Sequence, residues 1–263
     1  MHANQKMANN RDETALLCGG TAGIGLASAR ALLSAGTKKI MLVGRKPARG
    51  TAAQAALAAE FPGADIRFFA ADLGQPDGAE AAVQACLDAF GRIDTLLSCA
   101  GGDPMPRLLH ETPLAELPRI IGGTSASVLL PVRAALPAMM AQRSGNIICI
   151  ASDAAKVATP GEVCIGAAMA AIVMFCRALA IEAKRSGIRV NCLTPSIVRD
   201  TPLYDALMQD AFAGKLFAKA ENLAKLGVVV PEDLAALVLF LSSPAAARLT
   251  GQTISVNGGI SAA

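Results

Sequence analysis

Seven short apolar runs alternate along this chain with longer segments in which apolar residues recur at helical spacing. Parallel strands need long crossover connections, which are right-handed and cover both faces of the sheet. The pattern therefore predicts a single doubly wound, Rossmann-type α/β domain. The predicted strands are Thr14–Cys18, Ile40–Val43, Ile66–Ala70, Thr95–Ser98, Asn146–Ile150, Ile188–Leu193 and Thr253–Val256, and the predicted helices include Gly23–Ala35, Ala52–Phe61, Gly78–Phe90 and Leu234–Leu241.

The length of 263 residues suits one large domain. We expect residues 1–12 to form a flexible N-terminal segment and residues 13–263 to form the domain. Residues 196–227 show no regular periodicity, so we expect an irregular lid there. In such folds this lid lies over the carboxyl ends of the strands, where ligands bind.

Composition argues against several classes of protein. A net charge of +3 without a block of like charges is too weak for a nucleic-acid partner. The most apolar run, Val163 to Ile181, contains Arg177, so we expect no membrane span. The polar start predicts no secretory signal. Seven cysteines without a CxxC pair indicate reduced thiols in a cytoplasmic protein, and no metal site is expected.

A glycine-rich loop follows the first predicted strand and opens the first predicted helix. It reads Cys18-Gly19-Gly20-Thr21-Ala22-Gly23-Ile24-Gly25. Gly19 allows a tight turn, and Gly23 and Gly25 let the backbone approach a diphosphate whose charge the helix amino end favours. We expect this loop, with Thr21 and Ile24, to bind a dinucleotide. The alternative is that the glycines serve only tight packing of strand against helix.

Two later positions bear on which dinucleotide would bind. The second strand ends in Arg45 and Lys46, where an NAD-binding domain usually places an acid on the ribose 2′-hydroxyl. Arg45 can instead grip a 2′-phosphate, which favours NADP(H) over NAD(H), or both cations can be solvated loop residues. Asp72, followed by Leu73, can accept from an adenine amino group or cap the helix that begins near Pro76.

Together these features resemble the short-chain dehydrogenase/reductase (SDR) family, from about Thr14 to Gly259. The resemblance implies a parallel sheet of about seven strands, with Ala100 and Gly101 beside the cofactor. It also implies a dimer or tetramer formed through helices near 117–140 and 161–186. The residues that carry it are the glycine loop, Asp72-Leu73, Ser98-Cys99-Ala100-Gly101, Arg189-Val190-Asn191-Cys192-Leu193-Thr194-Pro195, Thr250-Gly251-Gln252 and Val256-Asn257-Gly258-Gly259.

The same resemblance implies four catalytic groups. A tyrosine passes the proton, a lysine four residues later lowers its pKa, a serine orients the substrate oxygen and an asparagine completes the relay. Ser152 matches the serine, whereas Ile165, Met169 and Thr124 stand where the family has tyrosine, lysine and asparagine. The candidates for a replacement relay are Tyr204, Cys164, Lys156, Asp153, Glu162 and His110.

Three functions remain open at this point. The first is a non-catalytic subunit that needs no cofactor itself and forms a tetramer with a competent SDR paralogue as an alcohol or hydroxyacyl-CoA dehydrogenase. In overall character the chain is similar to a silent subunit of this kind from anaerobic toluene degradation. The second is an active NADP(H) oxidoreductase with an unusual relay. The third is a dinucleotide or metabolite sensor. Three lysines in the lid region have two possible roles: they form a solvated helix face, or they meet the phosphates of a CoA-like ligand. These are Lys215, Lys219 and Lys225.

Overall fold

A computed structural model describes residues 13–101 and 104–263. The segment 1–12, for which we predict flexibility, therefore lies outside the described residues. The strands are β1 (Thr14–Cys18), β2 (Lys39–Gly44), β3 (Asp65–Ala70), β4 (Thr95–Ser98), β5 (Gly145–Ile150), β6 (Ile188–Pro195) and β7 (Thr253–Val256). The helices are α1 (Gly23–Ser34), α2 (Pro47–Glu60), α3 (Pro76–Phe90), α4 (Leu117–Gln142), α5 (Val163–Ala183), α6 (Pro202–Gln209), α7 (Ala211–Leu223) and α8 (Pro231–Ser242).

The strands form one parallel sheet in the order β3-β2-β1-β4-β5-β6-β7. This arrangement confirms the predicted doubly wound domain. The order in which strands are added to the sheet reverses between β1 and β4, and in such sheets ligands bind beyond the carboxyl ends of the strands at that point. The first helix begins immediately after β1 at this point, so the glycine loop lies at the expected ligand-binding edge.

Helices cover both faces of the sheet because its central strands are apolar on both sides. Leu16 of β1 belongs to a core cluster with α3, α4 and α5, whereas the next residue, Leu17, belongs to a second cluster with α1, α2 and α8. Successive side chains of a strand point to opposite faces, so β1 contributes to both clusters. A strand buried on both faces reads as a continuous apolar run, which is why the sequence reveals it.

The prediction of an irregular lid over residues 196–227 was wrong in one respect, because two helices, α6 and α7, lie within it. Each begins at a side-chain cap. The Thr201 hydroxyl accepts from the Tyr204 amide at 3.1 Å, and the Asp210 carboxylate accepts from the Phe212 and Ala213 amides. Such caps satisfy the amides that a short helix leaves without intrahelical partners.

By length and composition, two helical segments, Leu114–Gln142 and Val163–Ser186, could cross a membrane. Both contain helices that pack against the sheet, and residues of α4 and α5 belong to the same core cluster. The core helix of a water-soluble protein passes the same test, so the two segments are weak indications of a membrane span. Their apolar character is accounted for in part by the core.

Candidate functional site

The glycine loop forms a tight backbone cradle at the carboxyl end of β1. Gly19 has a φ of +92°, and a Cβ there would lie 2.8 Å from the Ala100 amide nitrogen, so a side chain is excluded. A Cβ at Gly25 would overlap the Gly19 carbonyl oxygen. The N-cap of α1 is Ala22, which has no side-chain oxygen to accept from the first-turn amides. These amides can therefore donate to an anion.

The cradle is closed on two sides by other segments. The Cys99 thiol, on the chain that leaves β4, donates to the Cys18 carbonyl at 3.2 Å, while the Ser127 hydroxyl of α4 donates to the Ala100 carbonyl at 2.8 Å. Gly101 is exposed beside them. On the lid side, a Cβ at Gly23 would lie 3.2 Å from the Thr201 methyl group. The backbone present here fits the diphosphate of a dinucleotide.

The residues predicted to contact the rest of the nucleotide lie around this cradle. Arg45 is exposed just beyond the end of β2, and the Thr21 side chain fills the space that a Cβ at Gly44 would occupy. Asp72 accepts from the Gly74 amide at 3.0 Å. The N-cap of α3 is Gln75, so Asp72 closes a turn and the alternative that it caps this helix was wrong. Leu73 is buried in the core.

Helix α5 is apolar where the family has its catalytic pair. Ile165, in the first turn of α5, is 8% exposed, and Met169 packs against the core one turn later. Neither side chain can exchange a proton or donate a hydrogen bond to a ribose. Thr124 is buried in α4, and its carbonyl accepts from the Ser127 hydroxyl at 3.0 Å. On α5, hydrocarbon and thioether side chains thus stand at the positions where the family resemblance implies a tyrosine and a lysine.

Ser152 stands at the carboxyl end of β5, half-buried, as the cap of a short 3-10 turn formed by Asp153–Ala155. Its hydroxyl oxygen accepts from the Ala154 amide at 3.2 Å. The first turn of α5 packs closely on this segment, since a Cβ at Gly166 would lie 2.8 Å from the Ala154 carbonyl oxygen. The serine of the family motif is thus held beside the catalytic helix.

Two of the candidates for a replacement relay are engaged elsewhere. The Tyr204 hydroxyl donates to the Glu221 carboxylate at 3.0 Å, and Arg199 donates to the same oxygen at 3.0 Å. Tyr204 therefore ties α6 to α7 within the lid. His110 has a 78% exposed side chain whose nearest acid, Glu111, is 3.8 Å away.

Asp153 and Lys156 belong to a buried polar cluster that the sequence did not reveal, and we call it the tail cluster. The Asp153 carboxylate accepts from the Ser255 hydroxyl at 3.2 Å, from the Ser261 hydroxyl at 2.9 Å and from the Asn257 amide. The Lys156 ammonium lies 3.6 Å from the same carboxylate and donates to the Ser255 hydroxyl and to the Ala263 carbonyl. Both charged groups are therefore committed to holding the segment after β7.

Glu162 differs from the other candidates. It directly precedes α5 and is half-buried, and the loss of water on burial raises the pKa of its carboxyl, against a smaller lowering by a hydrogen bond with Thr159. It is the N-cap of α5, with a non-helical φ of −111°, and it lies three residues before Ile165. Cys164, also half-buried, is adjacent to Ile165 and points about 100° away around the helix. Glu162 is thus the carboxylate among these candidates that is neither exposed nor part of an ion pair within the described residues.

A close contact between the lid and the entry to α5 was also missed by sequence reasoning. A Cβ at Gly161 would lie 2.5 Å from the Phe212 ring at the start of α7. On the other side, the Arg107 amide donates to the Gly161 carbonyl at 2.8 Å. The lid, the entry to α5 and the segment before α4 therefore meet at Gly161. A glycine after a proline and before a helix signals a turn, but no local signal identifies its partner.

Comparison with known proteins agrees with this geometry. A family model described as Enoyl-(Acyl carrier protein) reductase matches residues 19–261. A 3-oxoacyl-(acyl-carrier-protein) reductase from Chlamydia pneumoniae is 31% identical over 245 residues, covering 93% of this chain and 95% of that protein. An acetoacetyl-CoA reductase from an Acinetobacter species is 31% identical over 255 residues, covering 95% of this chain and 98% of that protein.

Solved structures agree in fold over nearly the whole chain. Levodione reductase superposes with a TM-score of 0.90 at 26% identity, covering 97% of this chain and 100% of that chain. A short-chain type dehydrogenase/reductase from Mycobacterium ulcerans superposes with a TM-score of 0.85 at 29% identity, covering 95% of this chain and 90% of that chain. The fold, the glycine cradle and these relatives lead to one conclusion: the chain belongs to the short-chain dehydrogenase/reductase family of oxidoreductases.

Proposed function

We propose that this chain is a non-catalytic SDR subunit that assembles with a competent SDR paralogue into an alcohol or hydroxyacyl-CoA dehydrogenase in the cytoplasm. The observation that carries the proposal is that Ile165 and Met169 stand on α5 where the family has its tyrosine and lysine. A positioned proton donor contributes about 10²–10⁴-fold to such reactions. The resemblance to a silent subunit from toluene degradation stays a prediction, because the relatives described above do not test it.

An unpartnered apolar stripe on α5 supports assembly with another subunit. Val163, Met174 and Ile181 are 53%, 61% and 62% exposed, although each is apolar. Their spacings of eleven and seven residues are those of a single helix face, and the exposed Ala167, Ala170 and Ala178 lie along it. Small residues beside large apolar ones let a second helix approach closely. The face opposite this stripe carries the buried core residues of α5.

The occupant that we propose is the corresponding helix pair of a competent SDR. Such a partner shares this fold and therefore presents equivalent helices, whose contact would bury Met140 of α4 as well as the α5 stripe. Arg177 is the one charged residue within the stripe from Val163 to Ile181, so the face offers little electrostatic selectivity. Shape would then determine which paralogue binds.

Co-expression with a paralogue that retains the tyrosine, lysine and asparagine tests the assembly. We expect one stable mixed tetramer by size-exclusion chromatography and native mass spectrometry. Met174→Glu should abolish it, because a carboxylate would be buried in an apolar contact. Ala58→Glu, at an exposed position of α2, is the matched control and should leave it intact. A homo-oligomer that ignores every paralogue, or robust turnover by the isolated chain, would contradict the proposal.

The part of the site that would hold the diphosphate and the adenosine end fits a dinucleotide better than the part that would hold the nicotinamide. Gly19, Gly25 and the uncapped start of α1 would hold the diphosphate, and Arg45 would meet a 2′-phosphate. A bound nicotinamide cofactor supplies or accepts the hydride, but Ile165 and Met169 cannot hold its ribose through hydrogen bonds. We therefore propose weak binding of NADP(H), in preference to NAD(H), by this chain.

A triple restoration variant tests the pocket. Thr124→Asn combined with Ile165→Tyr and Met169→Lys should tighten NADPH binding before it restores activity, because each lost hydrogen bond costs about 1–3 kcal/mol. Calorimetry with NADPH and NADH measures this directly. Unchanged affinity in the variant would contradict our interpretation of these positions. Tight NADPH binding by the unaltered chain without turnover would instead favour a sensor.

Glu162 favours a second candidate function, an active NADP(H) oxidoreductase with an unusual relay. A half-buried carboxyl with a raised pKa can donate a proton to a substrate oxygen. This alternative expects turnover by the isolated chain that disappears in Glu162→Gln and in Ser152→Ala but survives in Tyr204→Phe. Absence of turnover with acetoacetyl-CoA, cyclic alcohols and aromatic ketones would rule it out.

A further inference from the structure

We infer that residues 257–261, which follow β7, act as a latch that holds the lid against the sheet, with Asp153 as its anchor. The lid, residues 196–227, includes α6 and α7. The anchor directly follows Ser152, so the latch joins the lid to the turn that carries this serine. The inference concerns a movement within one chain, and it does not depend on assembly with a paralogue.

The lid is built around a core of its own. Its apolar cluster is separate from the two clusters that flank the sheet, and it consists of Ile197, Leu207, Ala213 and Phe217. A unit with its own core can open at a lower free energy than unfolding of the whole domain requires. Ile260 of the latch packs against this lid cluster. Opening the lid therefore either withdraws Ile260 from the cluster or pulls the latch along.

The latch is also bonded to the carboxyl end of the lid. The Leu226 amide donates to the Gly258 carbonyl at 3.0 Å. Gly258 has a φ of +67°, and a Cβ there would overlap the Gly227 carbonyl oxygen, so no side chain fits between the two segments. These contacts fix the first residues of the latch to the last residues of the lid.

The other contacts of the latch converge on Asp153. The Asn257 amide and the Ser261 hydroxyl both donate to its carboxylate, the latter at 2.9 Å. The Asn257 amide also donates to the Ser261 hydroxyl at 3.0 Å, which closes the latch into a loop. Asp153 and Asn257 are each 5% exposed. Water therefore cannot replace these hydrogen bonds unless the latch first leaves its site.

The position of the lid matters because it borders the glycine cradle. A Cβ at Gly23 would lie 3.2 Å from the Thr201 methyl group, at the start of α6. Opening the lid would move Thr201 away from the cradle and widen the way to the diphosphate site. Lids of this kind gate access to the sites that they cover. The latch thus determines how often the cradle of this chain is uncovered.

Hydrogen–deuterium exchange of the full chain, followed by mass spectrometry, tests the latch. Ser261→Ala should speed amide exchange in α6 and α7 by roughly two- to tenfold, because hydrogen bonds that hold the latch are lost. Exchange in β1 and β4 should stay close to that of the native chain. Ile260→Ala should act on α6 and α7 in the same direction, through the lid cluster.

Ser243→Ala is the matched control. It also removes a hydroxyl, one that is fully buried and donates to the Phe240 carbonyl at 2.7 Å. Ser243 follows the last residue of α8, at the end of that helix away from the lid, so α6 and α7 should keep their native exchange rates.

Two outcomes would overturn the inference. Equal exchange of α6 and α7 in Ser261→Ala, Ile260→Ala and Ser243→Ala would show that other contacts hold the lid. Faster exchange of the same size throughout the sheet would show that residues 257–261 contribute only to global stability. The measurement needs neither a cofactor nor a paralogue, so its result is distinct from those that test NADP(H) binding and assembly.

Discussion

Replacing Asp153 with alanine should destabilise the fold far more than breaking an exposed ion pair of the same length. The Asp153–Lys156 pair has a nitrogen–oxygen distance of 3.6 Å and side chains only 7% and 13% exposed. The Glu116–Arg119 pair has the same 3.6 Å distance, but its side chains are 41% and 74% exposed. The two pairs share this distance but differ in burial and in the further hydrogen bonds that Asp153 accepts.

The magnitude follows from what each substitution leaves behind. Asp153→Ala removes the acceptor for Ser255, Ser261 and Asn257 and leaves the Lys156 ammonium buried beside a neutral site. Loss of one partner from a buried pair costs about 3–5 kcal/mol. Lys156→Met should cost less, about 1–2 kcal/mol, because the carboxylate keeps three donors. Arg119→Ala should cost less than about 1 kcal/mol.

Urea unfolding followed by far-ultraviolet circular dichroism, with thermal unfolding beside it, measures the series. A loss of about 3–5 kcal/mol corresponds to a lower Tm by roughly 10 °C in a domain of this size. The stability of Asp153→Asn, which keeps the shape of the side chain but not its charge, should lie between that of Asp153→Ala and that of the native chain. The reasoning is refuted if Asp153→Ala unfolds at the same urea concentration as Arg119→Ala, or if Lys156→Met is the more damaging change.

Three further predictions concern single groups. Burial, with a smaller contribution from Asp94, raises the pKa of the Cys86 thiol to about 12. At pH 8 a thiol reagent should therefore label the half-buried Cys164 well before Cys86. Equal labelling rates of the two thiols by mass spectrometry would contradict this. Because burial raises the pKa of Glu162 above its ordinary 4.5, its ionisation opposes folding as the pH rises through the folded-state pKa. Glu162→Gln should therefore gain stability relative to the native chain between pH 4 and pH 8, and a gain that does not change with pH would contradict the assignment. Tyr204→Phe removes the bond to Glu221 and should cost about 0.5–1.5 kcal/mol in urea unfolding, whereas a larger loss would indicate a role beyond tying the lid helices.

Local patterns in the sequence were sufficient for most of the fold. The predicted strands at Thr14–Cys18, Thr95–Ser98 and Thr253–Val256 coincide with β1, β4 and β7. A strand buried on both faces must be apolar at consecutive positions, so the signal lies within the segment itself. The glycine loop was predictable for a related reason, since Gly25 is required by the nearby Gly19 carbonyl and Gly19 by the positive φ of the turn, although Ala100 also excludes a side chain at Gly19.

The position of α5 could also be predicted from the sequence, because Ile165 follows Ser152 by the short spacing that the family motif has between its serine and its tyrosine. The lid was not. Its helices α6 and α7 are short, with 8 and 13 residues, and helices of this length depend on caps and tertiary packing more than on intrinsic propensity. Their periodicity alone was too brief to distinguish them from irregular chain.

Sequence by itself therefore determined the sheet, the glycine loop and the apolar residues that stand on α5 where the family has its tyrosine and lysine. Only the tertiary structure decided which hydrogen bonds and ion pairs the ionisable groups near α5 and in the lid form. Asp153 meets Ser255 and Ser261 across separations of 102 and 108 residues, and Tyr204 meets Glu221 across the turn between two helices. A side chain's partners are determined by which segments the fold brings together, and neither spacing nor residue type encodes that over such distances.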